Sequence, residues 1–226
     1  MFKVFKLNDF ILAIAILSNF LIANKIAVVT KVKGIVEVKK NDNKIFSNLK
    51  SGHMLEDGDK IRTGKKGFTA IIFIDDKSLL KIKENSEAVI TGTKTAKSIS
   101  KKINMEGGIV RATITKQNTE FVIQTPTSVA SVKGTDFWVI SDQNSGDKVI
   151  GLEGTVLLTN IDTGQEVTVT SGVTGNSTLD GQISVSETNP STIPLDPDGQ
   201  SVESSELKIF FEGPNGEQKT LTIKYQ

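Results

Sequence analysis

Beyond the N-terminal two dozen residues, apolar positions show almost no helical spacing; short runs rich in valine, isoleucine, threonine and phenylalanine recur between glycine-bearing turns. The pattern predicts an all-β chain. Strands are expected at 26–32, 35–39, 60–63, 68–74, 78–82, 87–91, 98–103, 108–115, 119–124, 128–132, 136–141, 147–152, 155–160 and 166–170. In one of them Phe68, Ala70, Ile72 and Ile74 fall on one side and Ile71 and Phe73 on the other. A strand that is apolar on both sides must be covered twice, which predicts stacked layers or a tightly wound coil.

Turn chemistry divides these runs. Gly52, Gly58 and Gly64 recur at six-residue intervals within residues 48–82, a spacing that permits only tight turns and very short strands. Gly107 and Gly108 lead into the run 106–114, and Glu153 and Gly154 separate two strands within 149–160. In the segment Thr125–Ile140, Pro126 fixes its own φ and pushes Thr125 toward extended geometry, while Gly134 is free to take positive φ. That segment reads as strand, turn, strand.

After Thr170 serine, threonine, glycine, asparagine and aspartate dominate, and Pro190, Pro194 and Pro197 exclude regular helix. Residues 173–205 are therefore expected to be a linker after a β domain at 24–172. Residues 206–226 predict a β-hairpin: Leu207, Ile209 and Phe211 alternate with Lys208, Phe210 and Glu212, Gly213–Gly216 turns the chain, and Leu221, Ile223 and Tyr225 answer on the return. Residues 171–226 carry eight acidic side chains against three lysines, so charge favours docking onto the preceding domain, and strand pairing with a partner is the alternative.

Lys3 and Lys6 precede an apolar run from Phe10 to Ala23, the order of a secretory signal peptide, with cleavage expected after Ala23. An uncleaved membrane anchor is the alternative, and the run is short for a span. These features predict an exported mature protein, periplasmic or secreted in a bacterial envelope. The chain has no cysteine, which excludes disulfides and thiol lipidation, so the core alone must hold the fold. Removal of residues 1–23 leaves equal numbers of basic and acidic side chains. Nucleic acid is thereby an unsuitable partner, because phosphate binding calls for a basic excess. The one basic cluster, Lys94, Lys97, Lys101 and Lys102, is expected on a solvated strand edge.

Candidate chemistry is sparse. His53 is the only histidine and is expected on a surface turn; with no cysteine either, the chain lacks ordinary zinc ligands, and no cofactor is expected. Asp57 and Asp59, or Asp75 and Asp76, offer carboxylate pairs, but acids beside glycines form turns more often than glycosidase sites. The sequence DPDG at 196–199 lacks the flanking acids of a calcium loop, having Pro194 and Ser205 in their places. Trp138 is expected to pack in the core, on the face opposite Phe137 and Val139. No enzyme activity is predicted.

In order along the chain come Leu49 and Gly52, Gly58-Asp59, Ile61-Arg62-Thr63-Gly64, the strand after Gly67, Gly107-Gly108, Thr125-Pro126, Gly134-Thr135-Asp136-Phe137, and Glu153-Gly154 through Asn160. This series, over roughly 28–172, resembles the FecR domain family, envelope regulators named for ferric citrate uptake. The resemblance implies a twisted β-solenoid with short rungs, in which Thr125, Pro126, Gly134, Thr135, Asp136, Phe137, Glu153 and Gly154 define the fold rather than a ligand site. Two positions depart from the pattern. Asp75, Asp76, Lys77 and Ser78 stand where the family has Asp-Gly-Ser, so the turn lacks its glycine, and Lys133 stands where arginine is common. The family's regulators also carry a cytoplasmic anti-sigma segment before a membrane helix, whereas few residues precede the apolar run here, so the anti-sigma role is not carried over. The expected function is a non-catalytic interaction or sensing module whose partner is another envelope protein, bound through strand edges. A polysaccharide-binding protein and a structural or adhesin-like surface component are the alternatives.

Overall fold

The structure is a computed structural model that describes residues 25–94, 98–116 and 119–197, with the strand backbone of 205–212 and 218–225. The expected signal segment, and with it Lys97 and Asp198, lie outside the described residues. Among the described residues no helix is long and apolar enough to cross a membrane.

The strands are β1 (Lys25–Lys33), β2 (Val36–Lys39), β3 (Ser47–Asn48), β4 (Met54–Glu56), β5 (Asp59–Thr63) and β6 (Phe68–Phe73). Then come β7 (Leu79–Ile82), β8 (Glu87–Lys94), β9 (Ile99–Thr113), β10 (Phe121–Gln124), β11 (Ser128–Val132) and β12 (Asp136–Asp142). The series continues with β13 (Gly146–Glu153), β14 (Thr155–Asn160), β15 (Glu166–Thr170), β16 (Val173–Ser177) and β17 (Ile183–Glu187), and ends with β18 (Ser205–Glu212) and β19 (Gln218–Tyr225). The chain is all-β.

Pairing sorts β1–β17 into two layers that share β9. One runs β4-β1-β6-β7-β9-β12-β13-β16-β17. The other runs β3-β2-β5-β8-β9-β10-β11-β14-β15, and only its β9–β10 pairing is parallel. From β10 onward successive hairpins alternate between the layers, so each strand turns one face inward. The burial of β11, β14 and β2 follows the strand period of two. Between the layers Phe73 of β6 meets Phe121 of β10 edge to face at 5.7 Å, a geometry worth about 1 kcal/mol beyond the buried area. The two-sided β6 is covered as its pattern requires at Phe68, Ala70, Ile71 and Phe73, while Ile72 is half-buried and Ile74 is exposed.

Two expectations are corrected. The runs 98–103 and 108–115 form a single strand, β9, whose first part pairs with β8 and β10 in one layer and whose last part pairs with β7 and β12 in the other. Gly107 and Gly108 do not precede a strand; they carry β9 across from layer to layer, with a register shift opposite Glu87. The stretch expected as a linker from residue 173 instead contributes β16 and β17, and the first compact unit ends at Thr188. Its polar composition serves close packing. A Cβ on Gly175 would come 2.9 Å from Leu158 Cδ2, and Ser177 is fully buried against Asn160 Nδ2 at 2.9 Å.

The second unit, Asn189–Gln226, holds a short 3-10 turn at Pro190–Thr192, capped by the Asn189 side chain, which accepts from Ser191 N. In the same unit β18 and β19 pair as an antiparallel hairpin, with Ile209 opposite Leu221 and Leu207 opposite Ile223.

Candidate functional site

The Thr125–Ser128 turn is built around one buried carboxylate. Thr125 Oγ1 accepts the backbone N–H of Ser128 at 2.9 Å and of Thr127 at 3.2 Å, a turn that Pro126 pre-sets. Its hydroxyl donates to Asp147, and Ser128 Oγ donates to the same Oδ2 at 2.7 Å. Asp147 lies on β13, in the other layer, and is 2% exposed, so two hydroxyls and a carboxylate tie the layers together at this corner. Asp147→Ala leaves both hydroxyls without their acceptor and is expected to cost about 2–3 kcal/mol of stability in urea unfolding. A loss below about 0.5 kcal/mol would contradict this role.

The remaining motif residues meet at a second corner. Gly134 has φ +152° and Gly154 φ +78°; a Cβ on Gly154 would lie 2.6 Å from Gly134 O, so the two turns stack on each other. Thr135 pairs through its backbone with Ile114, and its hydroxyl donates to Thr155 O at 3.0 Å. Asp136 receives a two-pronged bond from Arg111, Nε to Oδ1 at 2.9 Å and Nη2 to Oδ2 at 2.7 Å. Phe137 is fully buried in the core, and Glu153 is exposed at the end of β13. Trp138 is buried on the opposite face from Phe137 and Val139, with the Arg111 guanidinium 5.7 Å and Lys83 Nζ 5.8 Å from its ring.

The carboxylate pairs have internal partners. Asp59, 1% exposed, accepts Lys40 Nζ at 2.8 Å and Glu56 N at 2.9 Å through Oδ2, and Asp57 accepts Gly92 N at 2.9 Å. His53 is half-buried rather than on the surface, and its Nε2 is buried without a hydrogen-bond partner. Among the described residues no group of three histidine, cysteine, aspartate or glutamate side chains is arranged to hold a metal.

Lys101 is the largest departure from the sequence expectation. It does not lie on a solvated edge: its side chain is fully buried, with Nζ 2.9 Å from Asp75 Oδ2 and 2.8 Å from Asp76 Oδ2. The strand period explains this, because Lys101 alternates with the exposed Ser100 and Lys102 and so faces inward. Burial acts against ionisation of Asp75, but the hydrogen bonds from Lys101 and Ile99 N outweigh it and hold the carboxyl below its ordinary value. Neither Lys101 nor Asp147 was legible as special, since each partner lies about 20 or more residues away in the chain.

Where β9 changes layer a polar cavity of about 480 Å³ opens, walled by Arg62, Ser86, Glu87, Glu106, Gly108 and Asp142. Its charges have partners. Lys60 bonds Glu106 at 2.6 Å and also Glu87; burial opposes its charge, yet these carboxylates raise its pKa above the ordinary lysine value. Asp142 is held low by the N–H groups of Asn144 and Ser145. The wall has no aromatic ring for a sugar to stack on.

At the layer ends, β3 and β4 are only two and three residues long, and β15 opens with Glu166. By contrast β17 runs Ile183-Ser184-Val185-Ser186 before its closing Glu187, holds no proline, leaves Val185 48% exposed, and pairs only with β16 among the described strands. Because Thr188 N and Gln182 O bond toward the β16 side, strand alternation turns the N–H and C=O groups of Ile183, Val185 and Glu187 outward.

Two layers of mostly antiparallel strands, tied by buried polar corners, define an all-β module. The chain belongs to the FecR protein family, whose model matches residues 59–172, half of its length. In structure it is similar to a protein of Parabacteroides distasonis provisionally described as an anti-sigma factor. Two crystal structures of that protein, at 1.65 and 2.50 Å, each give 14% identity and a TM-score of 0.48 over 69% of this chain, and cover 69% and 68% of theirs. No curated protein matches the sequence.

Proposed function

We propose that this FecR-family protein is a non-catalytic, exported module of the bacterial cell envelope that binds another envelope protein by adding one of the partner's strands to β17. The outer edge of β17, unpaired among the described strands, carries the proposal. Outward N–H and C=O groups supply sequence-independent affinity, and the alternation of Val185 with Ser184 and Ser186 supplies side-chain selection. Export is supported by the apolar run Phe10–Ala23 behind Lys3 and Lys6. A non-catalytic role is supported by the use of Asp59, Asp75, Asp76, Asp136 and Asp147, each of which accepts from a group of its own fold.

Val185→Pro separates the edge from the fold. The substitution removes an outward donor that β16 does not use, a place where an edge strand tolerates proline. The expected result is an unchanged urea midpoint together with loss of the protein that the unaltered chain captures from envelope extract. Equal capture by both forms, or capture of none while the purified protein binds or cleaves cell-wall glycan, would overturn the proposal.

A further inference from the structure

Asp75, Asp76 and Lys101 form a site with the parts of an amide-forming reaction. Lys101 Nζ is fully buried, 26 residues from Asp75 in the chain and 2.9 Å from its Oδ2. The Phe73 ring centroid lies 5.4 Å from the same nitrogen, and Phe121 packs on that ring. The two carboxylates differ in their partners. Asp75 Oδ2 also accepts Ile99 N at 2.8 Å. Asp76 is bound on both oxygens by Ser78, N to Oδ1 at 2.9 Å and Oγ to Oδ2 at 2.8 Å, and its Oδ2 takes Lys101 Nζ at 2.8 Å. The turn lacks the family's glycine, and its positive φ of +65° falls on Lys77, next to Asp76.

We propose that Lys101 and Asp75 join in an intramolecular isopeptide bond, with Asp76 as the proton carrier. For the reaction one lysine proton has to pass to the Asp75 carboxyl, ending on Oδ1, against the Lys101 and Ile99 hydrogen bonds that hold that carboxyl ionised. The freed Nζ lone pair attacks Asp75 Cγ, and the Ile99 N–H stabilises charge developing on Oδ2. A second Nζ proton goes to the Asp76 carboxylate and on to Oδ1. The Cγ–Nζ bond forms, the Cγ–Oδ1 bond breaks, and one water leaves; the third proton stays on the amide nitrogen. No oxidant, metal or cofactor enters the balance. Fixed proximity of the buried Nζ to the carboxyl supplies the rate. In a chain without cysteine the bond tethers β9 to the turn after β6, the place a disulfide would otherwise take.

Tryptic mapping of the purified full chain tests this directly. The expected species joins residues 67–77 to residues 98–102, uncleaved after Lys101 and lighter than the two peptides by one water, about 18 Da. Fragmentation assigns the join to Asp75 and Lys101. Asp76→Asn, checked for folding by circular dichroism, is expected to return the linear peptides. Recovery of only linear 67–77 and 98–101 from the unaltered chain would overturn the proposal. So would loss of water confined to 67–77, because that marks an aspartyl succinimide.

Discussion

Gly108→Ala is expected to destabilise the protein by about 3 kcal/mol or more, through backbone strain and a collision that cannot relax. The residue has φ +109°, and a Cβ there would lie 2.5 Å from Ser86 Cα. Ser86 has no room to retreat. Its N–H donates to Thr63 Oγ1 at 2.9 Å, its carbonyl accepts Thr63 N at 2.9 Å, and its hydroxyl accepts Ile109 N at 2.9 Å. Yielding would break a buried network at the point where β9 passes between the layers. Gly164→Ala is the control, since it shares a positive φ of +68° but has nothing within 4 Å of the added methyl. That variant should lose only about 1 kcal/mol. Equal urea midpoints for the two variants would show that the crossing at Gly108 tolerates a side chain.

Lys101→Met is expected to cost about 3–5 kcal/mol, because it leaves two mostly buried carboxylates without their cation. Converting the carboxylates as well, in Lys101→Met/Asp75→Asn/Asp76→Asn, should restore a large part of the stability by removing the uncompensated charge. Guanidinium or urea unfolding of the two variants measures both effects. If the single substitution were neutral, the buried ion triad would play no part in stability.

Much of the strand order was legible because a strand repeats every two residues and a turn needs glycine or a short polar residue. Runs such as 68–74, 128–132 and 155–160 correspond to β6, β11 and β14 within a residue. The motif glycines Gly134 and Gly154 could be read as turns, but their stacking on each other could not, since 20 residues separate them. β16 and β17 were missed because Thr174, Gly175 and Ser177 are polar or small by type. Their burial depends on Leu158, Val169 and Asn160 arriving from the opposite layer. Lys101 was misplaced for the matching reason, a charged type assigned to solvent until folding delivers its two carboxylates.

Period, turn chemistry and an ordered series of motifs were enough to establish an all-β FecR module, because those preferences act over a few neighbouring residues. Which polar groups would be buried together and where β9 would change layer were decided by the tertiary structure alone. Those outcomes depend on residues far apart in the chain, whose meeting only the closed two-layer packing specifies.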